Sequence, residues 1–560
     1  MDSYENRHIA YFSMEIGLDF DIPTYSGGLG VLAGDTLKSC ADLKVPIVGV
    51  TLLYKKGYFK QKIDDNGNQL EEDEDFNYKD EFTELPNTVT INIEGREVKL
   101  KGWYYKVFGI SGFEVPIVFL DSDLLENSDY DKQITQKLYA NDRRYRFAQE
   151  IILGIGGVRM LLANGFINIQ KYHMNEGHSS LLTLEVAKNL NDLEKENFLK
   201  NTRKKCVFTT HTPVPAGHDS FDKSLVENML GEYLEDKFKE VIFKDSMLNM
   251  TYLGLIFSKF INGVAKQHSE VSRNMFPGYY IESITNGIHS NFWTAQPFKD
   301  LFDLKLSGWR SDPFCLRYAL GISKDEILDA HMKTKKELID FVNQKYNLEM
   351  KNDVFTIGFA RRAATYKRGD LLFYDINRLI EIGSKYDGIQ IIYGGKAHPS
   401  DTQGKEVIKK IIDHMKQVKD KIKVCYIENY NIEIAKLLTS GVDIWLNTPM
   451  RPKEASGTSG MKASHNAIPH FSVLDGWWLE GHIEGITGWS IGPHPKKCLE
   501  NSNEIDSKDL YDKLENLILP KFYENKKEWV DIMRHSIAIN ASFFNTHRMV
   551  QQYVINAYFS

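Results

Sequence analysis

The sequence predicts an α/β protein made of two Rossmann-like halves, on three observations. Short β-branched or aromatic runs alternate with longer segments of helical period, the pattern of largely parallel sheets. A turn-rich stretch over residues 308–323, followed by a long charged helix over 324–347, separates one such series from a second. The 560 residues, at about 150 per domain, suit two large units.

In the first half, strands are expected at 8–12, 45–53, 170–173 and 205–210, with helices over 31–43, 139–162 and 179–190. Between 54 and 118, Asp/Glu/Asn clusters part alternating segments at 88–93, 97–100 and 103–107, which reads as an antiparallel insertion. The second half is expected to hold strands at 355–359, 389–393, 422–427 and 442–446, and helices over 370–382 and 404–415. Neither an internal repeat nor a low-complexity tract interrupts the series.

Hydrophobic residues at 42% and charged residues at 26% are near the globular average, enough to bury a large core. A net charge of −7 offers no global attraction to nucleic acid or acidic membranes, so any anion must be bound locally. The five cysteines, Cys40, Cys206, Cys315, Cys425 and Cys498, include no CxxC pair and are expected to be reduced core thiols. The N-terminal MDSYENRH is polar, and no 18-residue apolar span follows, so a cytoplasmic protein is expected.

Several motifs carry chemistry. Gly27 to Ala33 form a GxGxxA, but the preceding segment is a loop rather than a strand, and no acidic residue closes the 45–53 strand where a ribose would need one. A glycine turn capping a helix and an anion-cradling loop remain the two explanations. Arg361, Arg362, Lys367 and Arg368 directly follow the 355–359 strand, where they are either a solvated basic turn or an oxyanion site at the carboxyl edge of a parallel sheet.

Glu454 to Ser464, EASGTSGMKAS, opens a helix with small residues. It lacks the GK[ST] of a Walker loop, yet offers an anion site and one lysine, Lys462, that is either solvated or able to form a Schiff base. His178 and His211 each follow a strand and have no HExxH spacing or cysteine pair, so a zinc site is not expected. Buried core histidines and cleft residues are the alternatives for them. Asn286-Gly287 reads as an NG turn, and Trp477-Trp478 as core packing or a sugar platform.

Taken together these segments resemble the α-glucan phosphorylases (glycogen, starch, maltodextrin), specifically the compact bacterial type. EASGTSGMK is similar to the family's EASGTxxMK, whose lysine carries pyridoxal phosphate. Arg362 and Lys367 fall at the spacing of RxxxYKR, and SGGLGVL resembles NGGLGRL. His178 matches LNDTHPAL, His211 matches HTxxPE, Asn286 matches ITNGI, and Tyr430 matches a further cofactor-site motif. The matches keep the family's order from Ala10 to Lys462.

The resemblance implies the glycosyltransferase-B fold, two Rossmann-like domains facing across a cleft. The domains would be 1–310 and 311–539, with a C-terminal helix within 540–560 packing back on the first. It implies retaining phosphorolysis of terminal α-1,4-glucosidic bonds by orthophosphate, releasing α-D-glucose 1-phosphate. Lys462, Arg362, Lys367 and His211 would be catalytic. Lys462, Gly28, Tyr430, Gly457, Thr458 and Arg361 would hold pyridoxal 5'-phosphate, the only cofactor, with no metal. Leu29, His178, His211, Asn286, Glu454, Ser456 and Gly457 would bind the glucosyl group. Partners would be an α-glucan or maltodextrin, phosphate and glucose 1-phosphate, in a cytoplasmic homodimer that binds neither nucleic acid nor membrane.

The chain departs from the larger members at Ser459-Gly460 (Gly-Asn), Ala363-Ala364 (Ile-His) and Ala216 (Glu), none of which removes a residue with an assigned chemical role. It is also shorter, and regulation through their N-terminal extension is not expected. A nucleotide-sugar glucosyltransferase is disfavoured because Tyr25 stands where KxGGL has its lysine, and an E-x7-E pair would need glutamate at Lys462. A silent glucan-binding protein would need neither that lysine nor the phosphate cations.

Overall fold

The computed structural model describes residues 4–139, 142–190, 195–214, 217–495 and 502–559. The chain divides into two units. Met1–Phe59, Asp73–Thr285 and Met549–Ser560 form unit 1, and Lys60–Glu72 with Asn286–Arg548 form unit 2.

Unit 1 is built on a ten-stranded sheet. Its parallel strands, in chain order, are Ile9–Ser13 (β1), Ile47–Leu52 (β2), Glu114–Asp121 (β3), Lys171–Asn175 (β4), Cys206–Thr209 (β5), Phe260–Gly263 (β6) and Glu282–Ser283 (β7). They lie side by side as β7-β6-β5-β4-β1-β2-β3. Every residue of β1 is buried, because parallel strands are covered on both faces. Ala10 and Phe12 point into one apolar cluster with Val48, Val50 and Met174, while Ile9 and Tyr11 point into another with Ile47, Phe119 and Val207.

Beyond β3 the sheet turns antiparallel. Arg96–Phe108 pairs with β3 from Lys101↔Asp121 to Phe108↔Glu114, so the segments expected separately at 97–100 and 103–107 are one strand that runs through Gly102. The helix expected over 139–162 is instead Arg143–Ile151, a π turn Ile152–Gly156 and a last piece Gly157–Ala163. It starts where the Asp142 carboxylate accepts the Arg144 and Tyr145 N–H groups at 2.7 and 3.2 Å.

Unit 2 carries a six-stranded parallel sheet of Phe355–Ala360 (β8), Ile389–Gly394 (β9), Lys423–Ile427 (β10), Ile444–Asn447 (β11), His470–Val473 (β12) and Gly488–Ile491 (β13), ordered β10-β9-β8-β11-β12-β13. Counting from the first strand of each unit, both sheets contain the doubly wound order 3-2-1-4-5-6, with the reversal between strands one and four.

The division between the units falls at Thr285/Asn286, ahead of the turn at 308–323. Phe298, Phe302, Leu306 and Trp309 already share a core with Leu316 and Ile327. The long helix Lys324–Tyr346 follows, opened by a Ser323/Glu326 capping box. The hairpin of Lys60–Ile63 and Gln69–Glu72, inside the expected insertion, belongs to unit 2. Gln61 and Gln69 there donate side-chain N–H bonds to the Gly395 and Ala397 carbonyls, each at 2.9 Å.

Residues of Met549–Ser560 complete unit 1. Tyr558 Oη lies 2.7 Å from His173 Nδ1 on β4, and Tyr553 Oη accepts from Asn262 Nδ2 on β6 at 3.0 Å.

Cys40, Cys206 and Cys425 are free and buried, Cys315 is free and half-buried, and Cys498 lies outside the described residues. Trp477 and Trp478 are 2% and 0% exposed and pack on His470, so they are core residues. No helix among the described residues is long and apolar enough to cross a membrane.

Candidate active site

In a doubly wound sheet, ligands bind beyond the carboxyl ends of the strands where the order reverses. In unit 2 that point lies between β8 and β11. The loop leaving β8 carries Arg361, Arg362 and Lys367, and the loop leaving β11 carries Glu454, Ser456, Gly457 and Thr458.

Glu454 joins the two loops. Its Oε2 accepts from Arg361 Nη2 at 2.5 Å and Lys367 Nζ at 2.6 Å, and all three side chains are about one-tenth exposed. Burial alone would raise this carboxyl, but the Arg361 and Lys367 charges outweigh it and hold Glu454 at about 2. Arg362 is exposed and has no hydrogen-bond or ion-pair partner among the described residues. The set therefore contains one carboxylate and three cations, a local excess of positive charge on an acidic chain.

Gly457 adopts φ +73°, a conformation that favours glycine, and a Cβ there would meet Glu454 Oε1 at 3.5 Å and Arg361 Nη2 at 3.7 Å. Thr458 precedes the helix Ser459–His465, which buries Lys462 to 6% exposure with Nζ 3.7 Å from the centre of the Trp293 ring. Ser459 Oγ accepts from Trp445 Nε1 at 3.0 Å, which fixes the first turn of that helix. Tyr430, in the loop after β10, packs its ring 3.2 Å from the position of a Gly394 Cβ. Burial pushes its phenol up, and the nearby Arg361 charge opposes that.

Asn286 is 4% exposed, and its Oδ1 has no partner among the described residues. The Asn286-Gly287 pair is not a turn. Ile288 N–H donates to Phe544 O at 3.2 Å and Thr546 N–H to Ile288 O at 2.9 Å, an extended pairing. A Cβ on Gly287 would lie 2.3 Å from the Asn545 carbonyl carbon, so close approach explains that glycine.

Unit 1 holds its own set at the ends of β1, β4 and β5. Gly28 and Leu29 open the helix Gly28–Asp42, and a Cβ on Gly28 would meet nothing within 4 Å. The turn before it is held by Glu15, whose Oε2 accepts the Ser26 and Gly27 N–H groups at 2.5 and 3.1 Å and whose Oε1 accepts from Tyr139 Oη at 2.8 Å.

After β4 and β5, Glu176 ties two loops together. Its Oε1 accepts the Gly177 N–H at 3.0 Å, and its Oε2 accepts the His211 N–H at 2.7 Å and the Thr212 hydroxyl at 2.9 Å. His211 Nε2 donates to Asn175 Oδ1 at 2.5 Å, which assigns the Nε2–H tautomer. His178 Nε2 lies 3.5 Å from Asp219 Oδ2, and its buried Nδ1 has no protein partner. Burial foremost holds both histidines down at about 3, so their rings are neutral.

Among the sequence-derived residues, unit 2 brings Arg361, Lys367, Glu454 and Gly457 together, with Tyr430 beside Arg361, and unit 1 brings His178 near His211. Glu15, Glu176, Trp293 and Asp475 were not singled out from the sequence. Glu176 and Asp475 stand in the segments of His178 and Trp477-Trp478, but nothing local shows what their carboxylates hold, because His211 and Glu454 lie 35 and 21 positions away. Ala216, one of the departures, lies outside the described residues.

Two doubly wound units, one with a cationic, lysine-bearing loop system at its switch point, make an α/β protein of a kind suited to binding an anion. The family model described as carbohydrate phosphorylase matches residues 18–108 and 235–483. The chain is 38% identical to the maltodextrin phosphorylase of Thermococcus litoralis, over 98% of this chain and 70% of that protein. It is 31% identical to the glycogen phosphorylase of Aquifex aeolicus, over 100% of this chain and 88% of that protein. It is 32% identical to the glycogen phosphorylase of Mycobacterium tuberculosis, over 98% and 70%. The chain belongs to the carbohydrate phosphorylase family, glycosyltransferase-type enzymes of the glycosyltransferase-B fold class.

Proposed function

We propose that this protein cleaves the terminal α-1,4-glucosidic bond of an α-glucan or maltodextrin with orthophosphate, releasing α-D-glucose 1-phosphate with retention. One observation carries the reading: at the switch point of unit 2 the Arg361–Glu454–Lys367 cluster adjoins Arg362 and the loop that leads into Lys462. Phosphorolysis needs a site for a phosphate dianion, a proton for the leaving oxygen and stabilisation of an oxocarbenium-like centre.

Arg362, with no partner among the described residues, and Lys367 would take the substrate phosphate by charge and position. Glu454 leaves both cations less than fully neutralised and has a second oxygen, Oε1, for sugar hydroxyls. By the family resemblance alone, Ser456, Gly457 and Asn286, whose Oδ1 lacks a partner among the described residues, and, separately, Leu29, His178 and His211 would bind sugar hydroxyls. The neutral His211, whose Nε2–H is taken by Asn175, would accept at Nδ1 rather than pair with an anion. Facing carboxylates of the hydrolase kind are not part of this set.

The unit 2 residues fit pyridoxal phosphate. Lys462 is buried against an indole face, the Arg361 guanidinium suits a phosphate, and Gly457 keeps the loop free of a Cβ. Lys462 would anchor the group, with Arg361, Tyr430, Gly457 and Thr458 around it; Gly28 has a cofactor role by the resemblance alone. When bound, this cofactor supplies a second phosphate that supports proton donation by the substrate phosphate. A cytoplasmic homodimer belongs to the same proposal, supported by the family resemblance.

The test is formation of α-D-glucose 1-phosphate from maltodextrin and from glycogen in phosphate buffer, by protein supplied with pyridoxal phosphate. Phosphate-dependent release supports the reading, and its absence with both glucans overturns it.

A further inference from the structure

The loop that follows β12 reaches back onto the loop that carries Glu454. Asp475, 2% exposed, accepts the Glu454 N–H at Oδ2 (2.9 Å) and the Gly476 N–H at Oδ1 (3.0 Å), and Trp477 N–H donates to Ser456 O at 3.0 Å. Gly476 sits at φ +54°, where a Cβ would come 2.4 Å from Ser456 O, so the contact is as close as two backbones allow. Glu454 is thereby gripped at both ends. Its N–H is held by the loop after β12, and its carboxylate by Arg361 and Lys367 of the loop after β8.

We propose that Asp475 is a positioning residue that, by fixing the Glu454 main chain, sets the reach of the Glu454 carboxylate toward Arg361 and Lys367, and with it the charge left for phosphate. An aspartate suits this task and an asparagine does not. A carboxylate offers acceptors on both oxygens, and here each takes an N–H, whereas an amide would turn a donor toward one of them. The loss would leave a buried N–H unsatisfied beside the site. The kinetic consequence rests on the phosphorolysis reading, but the geometric one does not.

The kinetic test is a double-mutant cycle on enzyme loaded with pyridoxal phosphate: wild type, Asp475→Asn, Glu454→Gln and the pair. Asp475→Asn should lower kcat/KM for phosphate about tenfold or more in the wild-type background and less than about threefold once Glu454 is Gln, because the two act as one unit. Equal losses in the two backgrounds, or no loss, would overturn the proposal, since a residue that only supports the fold gives additive effects. The second readout needs no activity. Crystal structures of Asp475→Asn and Asp475→Ala should show the Glu454 carboxylate withdrawn from Arg361 or Lys367, and an unmoved Glu454 in both would overturn the proposal whatever the reaction. A wild type that forms no glucose 1-phosphate sinks the proposed function instead and leaves the crystallographic comparison to decide this one.

Discussion

Lys462 places its amine 3.7 Å from the centre of the Trp293 ring, a buried amine lying on an aromatic face. If that lysine anchors the cofactor, Lys462→Ala protein should show no borohydride-reducible chromophore and retain less than about 1% of phosphorolysis, a loss of some 3 kcal/mol or more in transition-state stabilisation. Absorbance before and after reduction, followed by peptide mass mapping around position 462, checks it. Wild-type-like turnover by the variant would remove Lys462 from the anchor role.

Arg362 and Arg361 are neighbours in sequence with different surroundings. Arg361 is committed to Glu454, while Arg362 is exposed and without a partner among the described residues. Arg362→Ala should therefore leave thermal stability within about 0.5 kcal/mol of wild type, as for an exposed site. Its apparent KM for phosphate should rise about tenfold or more through loss of a charge-assisted contact, with the chromophore retained. Melting curves and phosphate-dependent rates separate the two effects, and unchanged phosphate kinetics would end that assignment.

Acid should weaken the fold from just below neutrality. Burial, the largest cause in each, holds His173, His178, His211 and His470 at about 3 and His268 and His465 at about 4, against an ordinary value of 6.5. The unfolded chain then binds protons that the folded one refuses, so this stability is complete above pH 6.5 and drains as pH falls toward 3 to 4. Asp475, Glu15 and Glu150 act in the opposite sense. Burial foremost pushes all three carboxyls up, Asp475 to about 7 from 3.8, so the fold keeps protons there that the unfolded chain releases, which favours the fold as pH drops from 7 toward 4. The six histidines outnumber these three carboxyls. Denaturation midpoints at pH 7.5, 6.0 and 5.0 should fall in that order, with a net loss of several kcal/mol, and a flat profile would show the rings to be less buried than the structure has them.

Asp506 ties together the loops that follow β8 and β11. Its Oδ2 accepts from Arg368 Nη2 at 2.7 Å and its Oδ1 from Arg451 Nη2 at 2.9 Å, all three side chains being at most 3% exposed. Arg368 also donates to the Thr448 and Pro449 carbonyls at 2.8 and 3.0 Å. Removing one member of a buried ionic group strands the others, so Asp506→Ala should cost about 3–5 kcal/mol. Calorimetry or denaturant titration checks this, and a change under about 1 kcal/mol would mean that the network is dispensable.

The strands that could be seen in the sequence were those buried on both faces and made mostly of β-branched and aromatic residues, such as FTIGF and IQIIY, in which Thr356 and Gln390 are the single polar side chains. HFSV and GWSI were missed because they are four residues long and only two residues in each are apolar, His470 and Ser472 interrupting one and Gly488 and Ser490 the other. The hairpin at Lys60–Glu72 could be seen as antiparallel, but its place in unit 2 depends on bonds to Gly395 and Ala397, more than 300 positions away. The same holds in the site. The cations and Glu454 announce themselves as motifs, whereas that Glu454 pairs with Arg361 and Lys367 but not Arg362, and that Asp475 holds it, depends on loops that meet only once the sheet has formed.

Synthesis runs in one direction, and unit 1 does not. Its β4 and β6 residues His173 and Asn262 find their partners in Tyr558 and Tyr553, which leave the ribosome after all of unit 2. At 5–20 residues per second, the buried polar face of unit 1 waits roughly ten seconds to a minute for those tyrosines. During that interval the nascent unit is a sheet with an unfinished face, the species to which a chaperone, or a second nascent copy, would have access.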